Sequence, residues 1–600
     1  MKMKNKTAII SLVAVLTILL AGCAKKLDEH PYTVFSPSFY QTPAGLSSGI
    51  NALYAGMRFN YGPEPALAIT IMGTDEFTGG DQVTAATGGQ YVASFALYGG
   101  SSPISPSDGS ILNQWNNNFN LINLANALIQ YAPNVTVDTV TKVSVISQAR
   151  FLRGLYYLLL VQQFGAVPVD LGSGDLAFNQ KPFQGFNRLP LTDVLTKDYK
   201  AMIDDFTYAS QNLPDKRPGN TFQLSKAAAF FMLSKVYLFR GYSTLKQPND
   251  FQSSYAAATE VLNNQSKYGV ALQQDYGRVF AQGNDYNSEI LYSVERLPND
   301  LNDNETPVST NTSGAGNNAS IDFAPNYTDV KVAKAPGVGR QAIYGRPFRR
   351  FCPTAWTLFT AFADKYNDSR FNNSFRTMWY TNVGGSGQNG GAINYGDTAF
   401  VLAESQAAYD SLIALNKPYG IVPPSQFWTL QNNNNQDIFP YLKKYQDSLK
   451  NNFNDVVDGR PFKVARLGEL YLLAAEAAMN TGDQNTAATL INVLRTRAAY
   501  RPTLSAGDVS NRAAAIQVDP TATTIDLDFI LDERTRELCG EGSRWPDLAM
   551  RGKLVSRVKA FNPDGGPNIQ DFHVLRPIPQ SQLNAVALPN TQQFQNPGYH

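Results

Sequence analysis

Within residues 147–164 the run QARFLRGLYYLLLVQQF sets Phe151, Leu155, Leu158 and Gln162 on one helical face, with Leu152, Tyr156 and Leu159 beside it. A helix greasy over so wide an arc must be covered by other helices. The same period returns between Thr192 and Leu213, where Leu195, Tyr199, Met202 and Phe206 recur and Pro214 stops the run. It returns again from Ser225 to Gly241, paired with Tyr255 to Asn263, and from Leu467 through LLAAEAAMN. That last run breaks at Thr481-Gly482-Asp483 and resumes as NTAATLINVLRTRA. Small alanines where helices must approach, with Leu467-Gly468-x-x-Tyr471, predict a mainly α fold containing divergent tetratricopeptide-like helix pairs.

Long stretches without clear period separate these blocks: Thr74 to Asp108, Pro298 to Arg340 and Gly384 to Gln436. Tyr91, Phe95, Tyr98, Tyr327, Tyr344, Trp379, Tyr380, Tyr395, Phe427 and Trp428 lie in or beside them. Disordered segments are poor in rings, so ordered, ring-bearing loops on a helical scaffold are expected. Minor β structure is expected at ILYSV, within Glu289 to Val294.

At the N-terminus Lys2, Lys4 and Lys6 precede an apolar run, Ile9 to Leu20, that is too short to span a bilayer; Ala21, Gly22 and Cys23 follow. The arrangement predicts a signal peptide over 1–22, and with Cys23 directly after it the pattern resembles the lipobox of bacterial lipoproteins, which implies acylation of Cys23 as the new N-terminus. Two acyl chains would tether the mature protein stably to a membrane.

Fifty basic residues stand against 49 acidic ones, and loss of Lys2, Lys4 and Lys6 leaves the chain near neutrality. Nothing in that balance suits a nucleic-acid track. Cys352 and Cys539 are too few for a disulfide framework and lack metal-ligand spacing. His30, His573 and His600 are scattered, and no P-loop, His-Glu-x-x-His or Gly-x-Ser-x-Gly occurs, so no metal or cofactor is expected. Asp300-x-Asn302-x-Asn304 opens like a calcium loop, but Glu305 replaces the turn glycine and Asn311 the bidentate acid.

Several segments together resemble one family. These are the lipobox, Trp115-x-x-x-Phe119, QARFLRGLYYLLLVQQFGAVPV, SKAAAFFMLSKVYL, NSEILYSV, ARLGELYLLAAEA, DERTRELCGEGSRWPDLAMRGKL and the closing Leu575-Arg576-Pro577-Ile578-Pro579-Gln580 and Gln595-Asn596-Pro597-Gly598-Tyr599. In order and spacing they are similar to the SusD/RagB family of Bacteroidetes outer-membrane lipoproteins. The resemblance implies one SusD-like domain over 23–600, with halves of roughly 23–290 and 291–600. It also implies a non-catalytic cell-surface protein that captures an oligomeric nutrient, glycan or peptide, for a SusC-like TonB-dependent transporter. One departure is Ser543, where the family often has histidine.

Carried over from the family, the Asp75-Glu76 loop and the rings after it become ligand-binding candidates: Asp75, Glu76, Tyr91, Phe95 and Tyr98. Tyr344, Trp379, Tyr380 and Trp428 join them as rings beside Asn, Gln and Gly. A flat ring under sugar C–H groups, with amides reading hydroxyls, suits a glycan platform. Three rings at about 0.5–1.5 kcal/mol each give at best near-millimolar capture. Two rivals stand beside this reading: a glycoside hydrolase using Asp75 or Glu76, and a helical-repeat scaffold for envelope proteins. Glu533, Arg534, Arg536, Glu537, Glu541 and Arg544 alternate in sign three and four apart, which predicts a structural staple on a C-terminal helix.

Overall fold

The computed structural model describes residues 39–81, 83, 90–100, 103–171, 191–219, 221–296, 315–330, 338–427, 438–585 and 594–599. Cys23, Trp428 and the Asp300 to Asn304 motif lie outside the described residues.

Each strongly periodic segment is a helix. The 147–164 run belongs to Thr139–Phe164, which Asp138 caps by accepting from the Thr141 N–H and which Gly165 ends at φ 73°. Leu191–Asn212, Lys226–Tyr242 and Asp250–Asn263 follow. Gly109–Tyr131 packs against Thr139–Phe164, and each later helix packs against the one before it. Leu467–Asn480 and Gln484–Ala499 form the second set, joined by Thr481-Gly482 and an Asp483 cap on the Thr486 N–H. The two sets meet where Leu467–Asn480 lies on Asp250–Asn263. In the second set Ala475, Ala478, Ala487 and Ala488 pack together, which lets the two helices approach closely.

Strand content is small. Ile290–Val294 is buried at every position and pairs antiparallel with Phe462–Arg466 through irregular register. One apolar cluster runs from Leu46 to Tyr599. Cys352 and Cys539 are buried and unpaired. No helix of the described residues is long and apolar enough to cross a membrane.

The expected C-terminal staple lies in the interior. Leu527–Leu538 carries Glu533 and Glu537, both fully buried. Glu537 accepts from Arg466 at 2.6 Å and Arg370 at 3.2 Å, and also from Arg497. Burial would raise its carboxyl, but the Arg497, Arg466 and Arg370 guanidiniums outweigh that and hold it far below the usual range. Glu289, just before the strand, accepts from Arg466 and Arg497, tying the sheet to the second helix set.

Candidate functional site

Asp75 and Glu76 follow the helix Glu64–Ile71, after Thr74 has bent the chain by donating its hydroxyl to the Ile71 carbonyl and accepting the Glu76 N–H. The bend delivers Phe77–Gly79 to an antiparallel pair with Phe351–Pro353 and turns both acids inward. Asp75 is 0% and Glu76 2% exposed. Arg544 grips both Asp75 oxygens at 2.7 and 2.6 Å, and Arg557 adds a third contact at 2.5 Å. Burial opposes the charge on Asp75, yet these two arginines hold its carboxyl below the ordinary value. Glu76 is pushed up by burial, with Asp75 adding to the effect and Arg544 opposing it. The ligand-facing role expected for this pair is corrected here: both are structural ions joining the N-terminal loop to the C-terminal helices. A glycosidic oxygen cannot reach either carboxyl, which removes the pair from the hydrolase reading.

The rings that follow are not on an irregular loop. Gln90–Leu97 is a helix that sets Tyr91 and Phe95 one turn apart. Phe95 is fully buried with the Arg576 guanidinium over its face at 4.8 Å. Tyr98, at φ 59°, donates to the Gly73 carbonyl at 2.8 Å and packs against His573. Both are therefore core residues, against expectation. Tyr91 is half-buried and donates to Glu64 at 2.6 Å, so its hydroxyl is already engaged.

Trp379 and Tyr380 part company for a simple reason. They occupy the strand Met378–Tyr380, whose pattern is exposed, buried, exposed. Period-2 alternation sends neighbours to opposite faces. Trp379 stacks on Phe400 at 4.7 Å inside the sheet formed with Thr398–Leu402 and Gly420–Val422, and is not available to a ligand. Tyr380 is 44% exposed. Tyr344 lies beneath it, 3% exposed, its hydroxyl accepting the Tyr380 N–H at 3.1 Å.

Around Tyr380 the structure gathers residues that are scattered along the chain. Thr381 donates its N–H to Asp397 and accepts from Gly396, so the turn after Tyr380 lies against Asn394 to Asp397. Val383, Met378 and Tyr395 are exposed there, and Tyr395 is 80% exposed. Asn382 accepts from the Gly339 N–H at 2.7 Å, drawing in the 338–346 segment. The result is a solvent-facing rim of two rings, a valine and amides. Tyr395 was visible in the sequence as a loop aromatic, but nothing there separated it from the buried rings.

Two sequence models match this chain: one described as the SusD family over residues 308–599, the other as starch-binding, associating with outer membrane, over 71–238. The chain belongs to the SusD/RagB family. Two SusD-like proteins of Formosa agariphila align with it nearly end to end, one 25% identical over 98% of both chains, the other 23% identical over 94% and 95%. Among solved structures, a SusD homologue from Bacteroides thetaiotaomicron is 19% identical, covers 94% of this chain and 99% of its own, and superposes with a TM-score of 0.68. A laminarin-binding SusD-like protein is 21% identical over 93% of this chain and 100% of its own, TM-score 0.62. Surface glycan-binding protein A of the same Bacteroides, solved with laminarihexaose, is 17% identical over 92% and 99%, TM-score 0.61. The mainly α architecture with minor β is thus the SusD fold.

Proposed function

We propose that this SusD-family chain is a non-catalytic, lipid-anchored protein of the outer membrane that captures a glycan at the Tyr380–Tyr395 rim. It passes the glycan to a SusC-like TonB-dependent transporter. The observation that carries the reading is the rim itself: two exposed rings and neighbouring amides on a fold whose solved relatives include glycan binders. Laminarin and laminarihexaose are ligands of those relatives; the glycan class here is set by this chain's own rim. Anchorage through Cys23 after removal of residues 1–22 would hold the rim near its transporter. The hydrolase rival loses its best acids, because Asp75 and Glu76 are committed to interior contacts with Arg544, Arg557 and Gly540. The scaffold rival would need the Tyr380 and Tyr395 faces covered by protein.

Affinity electrophoresis of the mature protein through gels cast with a panel of glycans tests this. The expected result is retardation by at least one glycan, without release of reducing ends, weakened severalfold by Tyr380→Ala or Tyr395→Ala. Reducing-end release, or no retardation in any gel, would overturn it.

A further inference from the structure

Many interior ions of this protein are matched, arginine to carboxylate, as at Glu537 and Asp75, while the fully buried Arg576 meets the Ile69 carbonyl and the Trp545 ring instead. Among the described residues the rim has more cations than acids to meet them. Between Thr328 and Arg350 the sequence carries Lys331, Lys334, Arg340, Arg346, Arg349 and Arg350 against the single acid Asp329. Arg349 and Arg350 pair with Asp81 and Glu64, at 3.1 Å each. Arg340 and Arg346, on either side of Tyr344, have no carboxylate partner among the described residues. Arg340 is exposed and donates only to the Asn454 amide oxygen at 3.0 Å. Arg346 is half-buried over the Phe348 ring at 5.2 Å.

A second pair of cations connects to Tyr344 through Arg376. Arg376 lies over the Tyr344 ring at 4.8 Å and donates to Gln446, while its Nε is buried without a hydrogen-bond partner. Phe375–Arg376 pairs with Tyr441–Leu442, with Arg376 opposite Tyr441, and Lys443 follows directly. Burial, with Arg376 nearby, lowers the Lys443 ammonium to about 8. Arg340 acts in the same direction on Arg346, after burial. Acids of this region point elsewhere: Asp397 accepts the Asn394 N–H within its own turn, and Asp447 is held by Gln282 and the backbone of Leu449 and Gly459. Arg340 with Arg346, and Arg376 with Lys443, repel one another in pairs and meet no carboxylate among the described residues, and an arriving anion relieves that repulsion.

We propose that the ligand of the rim is an anionic glycan, whose carboxylate or sulfate-ester groups are held by Arg340, Arg346, Arg376 and Lys443 while a sugar ring lies on Tyr380. Guanidinium forks match both oxyanions, and the ring beneath supplies the sugar contact. This rests on the glycan-capture reading and narrows it to a charge class.

The test uses the mature protein in gels and calorimetric titrations with polygalacturonate for uronate, carrageenan for sulfate ester, laminarin for a neutral glycan and poly-L-glutamate for an acidic peptide. At least one anionic glycan is expected to bind tenfold or more tighter than laminarin, with affinity falling as salt rises. Whichever of the two binds identifies the oxyanion. Arg376→Gln, Lys443→Gln and Arg340→Gln should each weaken that binding about tenfold, and Arg340→Gln, on an exposed side chain, should do so with unchanged melting. Laminarin binding as tight as the anionic glycans, or full binding in Arg340→Gln, overturns the charge class and leaves glycan capture standing. Tighter binding of poly-L-glutamate than of either polysaccharide overturns the glycan assignment. Binding of none of the glycans overturns capture, and this inference with it.

Discussion

Lys443 and Lys444 are neighbours in the chain and opposites in circumstance. Lys444 is 1% exposed and donates to Glu541 at 2.7 Å and to the Glu537 carbonyl at 3.3 Å, over the rings of Tyr276 and Phe280. Burial works against its charge, yet Glu541 leads the groups that raise its ammonium above the ordinary value. Burial, and then the Arg376 guanidinium, lower the Lys443 ammonium, and no carboxylate among the described residues meets it. One residue closes an interior network; the other adds to a rim that the protein itself does not neutralise. The lesson is that a cation with its carboxylate in place marks fold, whereas a missing carboxylate points to a ligand only where the cation also borders solvent: Lys443 is partly exposed, while the fully buried Arg576 meets a carbonyl and rings in the core.

Ways to break that division can be ranked by size. Glu537→Ala should be the most damaging, since it takes from Arg466, Arg497 and Arg370 the buried carboxylate they share and leaves Glu289, Glu541, Glu533 and Asp368 to meet them; a loss of about 3–5 kcal/mol is expected by denaturant unfolding. Trp379→Ala should cost a similar 3–5 kcal/mol by opening the stack on Phe400. Its neighbour Tyr380→Ala should leave the midpoint unchanged. Equal effects of the two on stability would refute the strand alternation on which the rim depends.

Lys444→Met should destabilise by about 3 kcal/mol, because it leaves Glu541 short of a partner, whereas Lys443→Met should be neutral or stabilising. The pH dependence has a matching sign. Lys443 titrates near 8 in the folded protein and near 10.5 when unfolded. Between those values the unfolded chain binds more protons, so stability should rise as pH rises from 8 to 10.5, and Lys443→Met should remove that contribution. A fall over that interval traceable to Lys443 would contradict the unmatched state assigned to it. Smallest of all is the binding effect of Tyr380→Ala, about 1 kcal/mol, or near fivefold, in a glycan titration.

Much of the scaffold was legible because helix period is local. The residues that build Thr139–Phe164 sit three and four apart, and alanines announce the tight pair at Leu467–Asn480 and Gln484–Ala499. The charge alternation from Glu533 to Arg544 also announced ions, although their partners Arg370, Arg466 and Asp75 lie far along the chain. The site was less legible for the same reason. Asp75 looks like a solvent-facing acid until Arg544 and Arg557, more than 460 residues away, are brought to it. Tyr91, Phe95 and Tyr98 are read as loop residues because glycines flank a helix of only eight residues. Trp379 and Tyr380 are indistinguishable by composition; a three-residue strand is too short to show its alternation in sequence.

The most direct test of the division is a map of amide hydrogen exchange on the mature protein with and without polygalacturonate or carrageenan oligosaccharides. The account predicts that ligand slows exchange over 338–346, 376–383 and 394–397, and leaves the helix Gln90–Leu97 and the Asp75–Glu76 turn unchanged. Protection confined to Asp75 to Tyr98, with none around Tyr380, would contradict it.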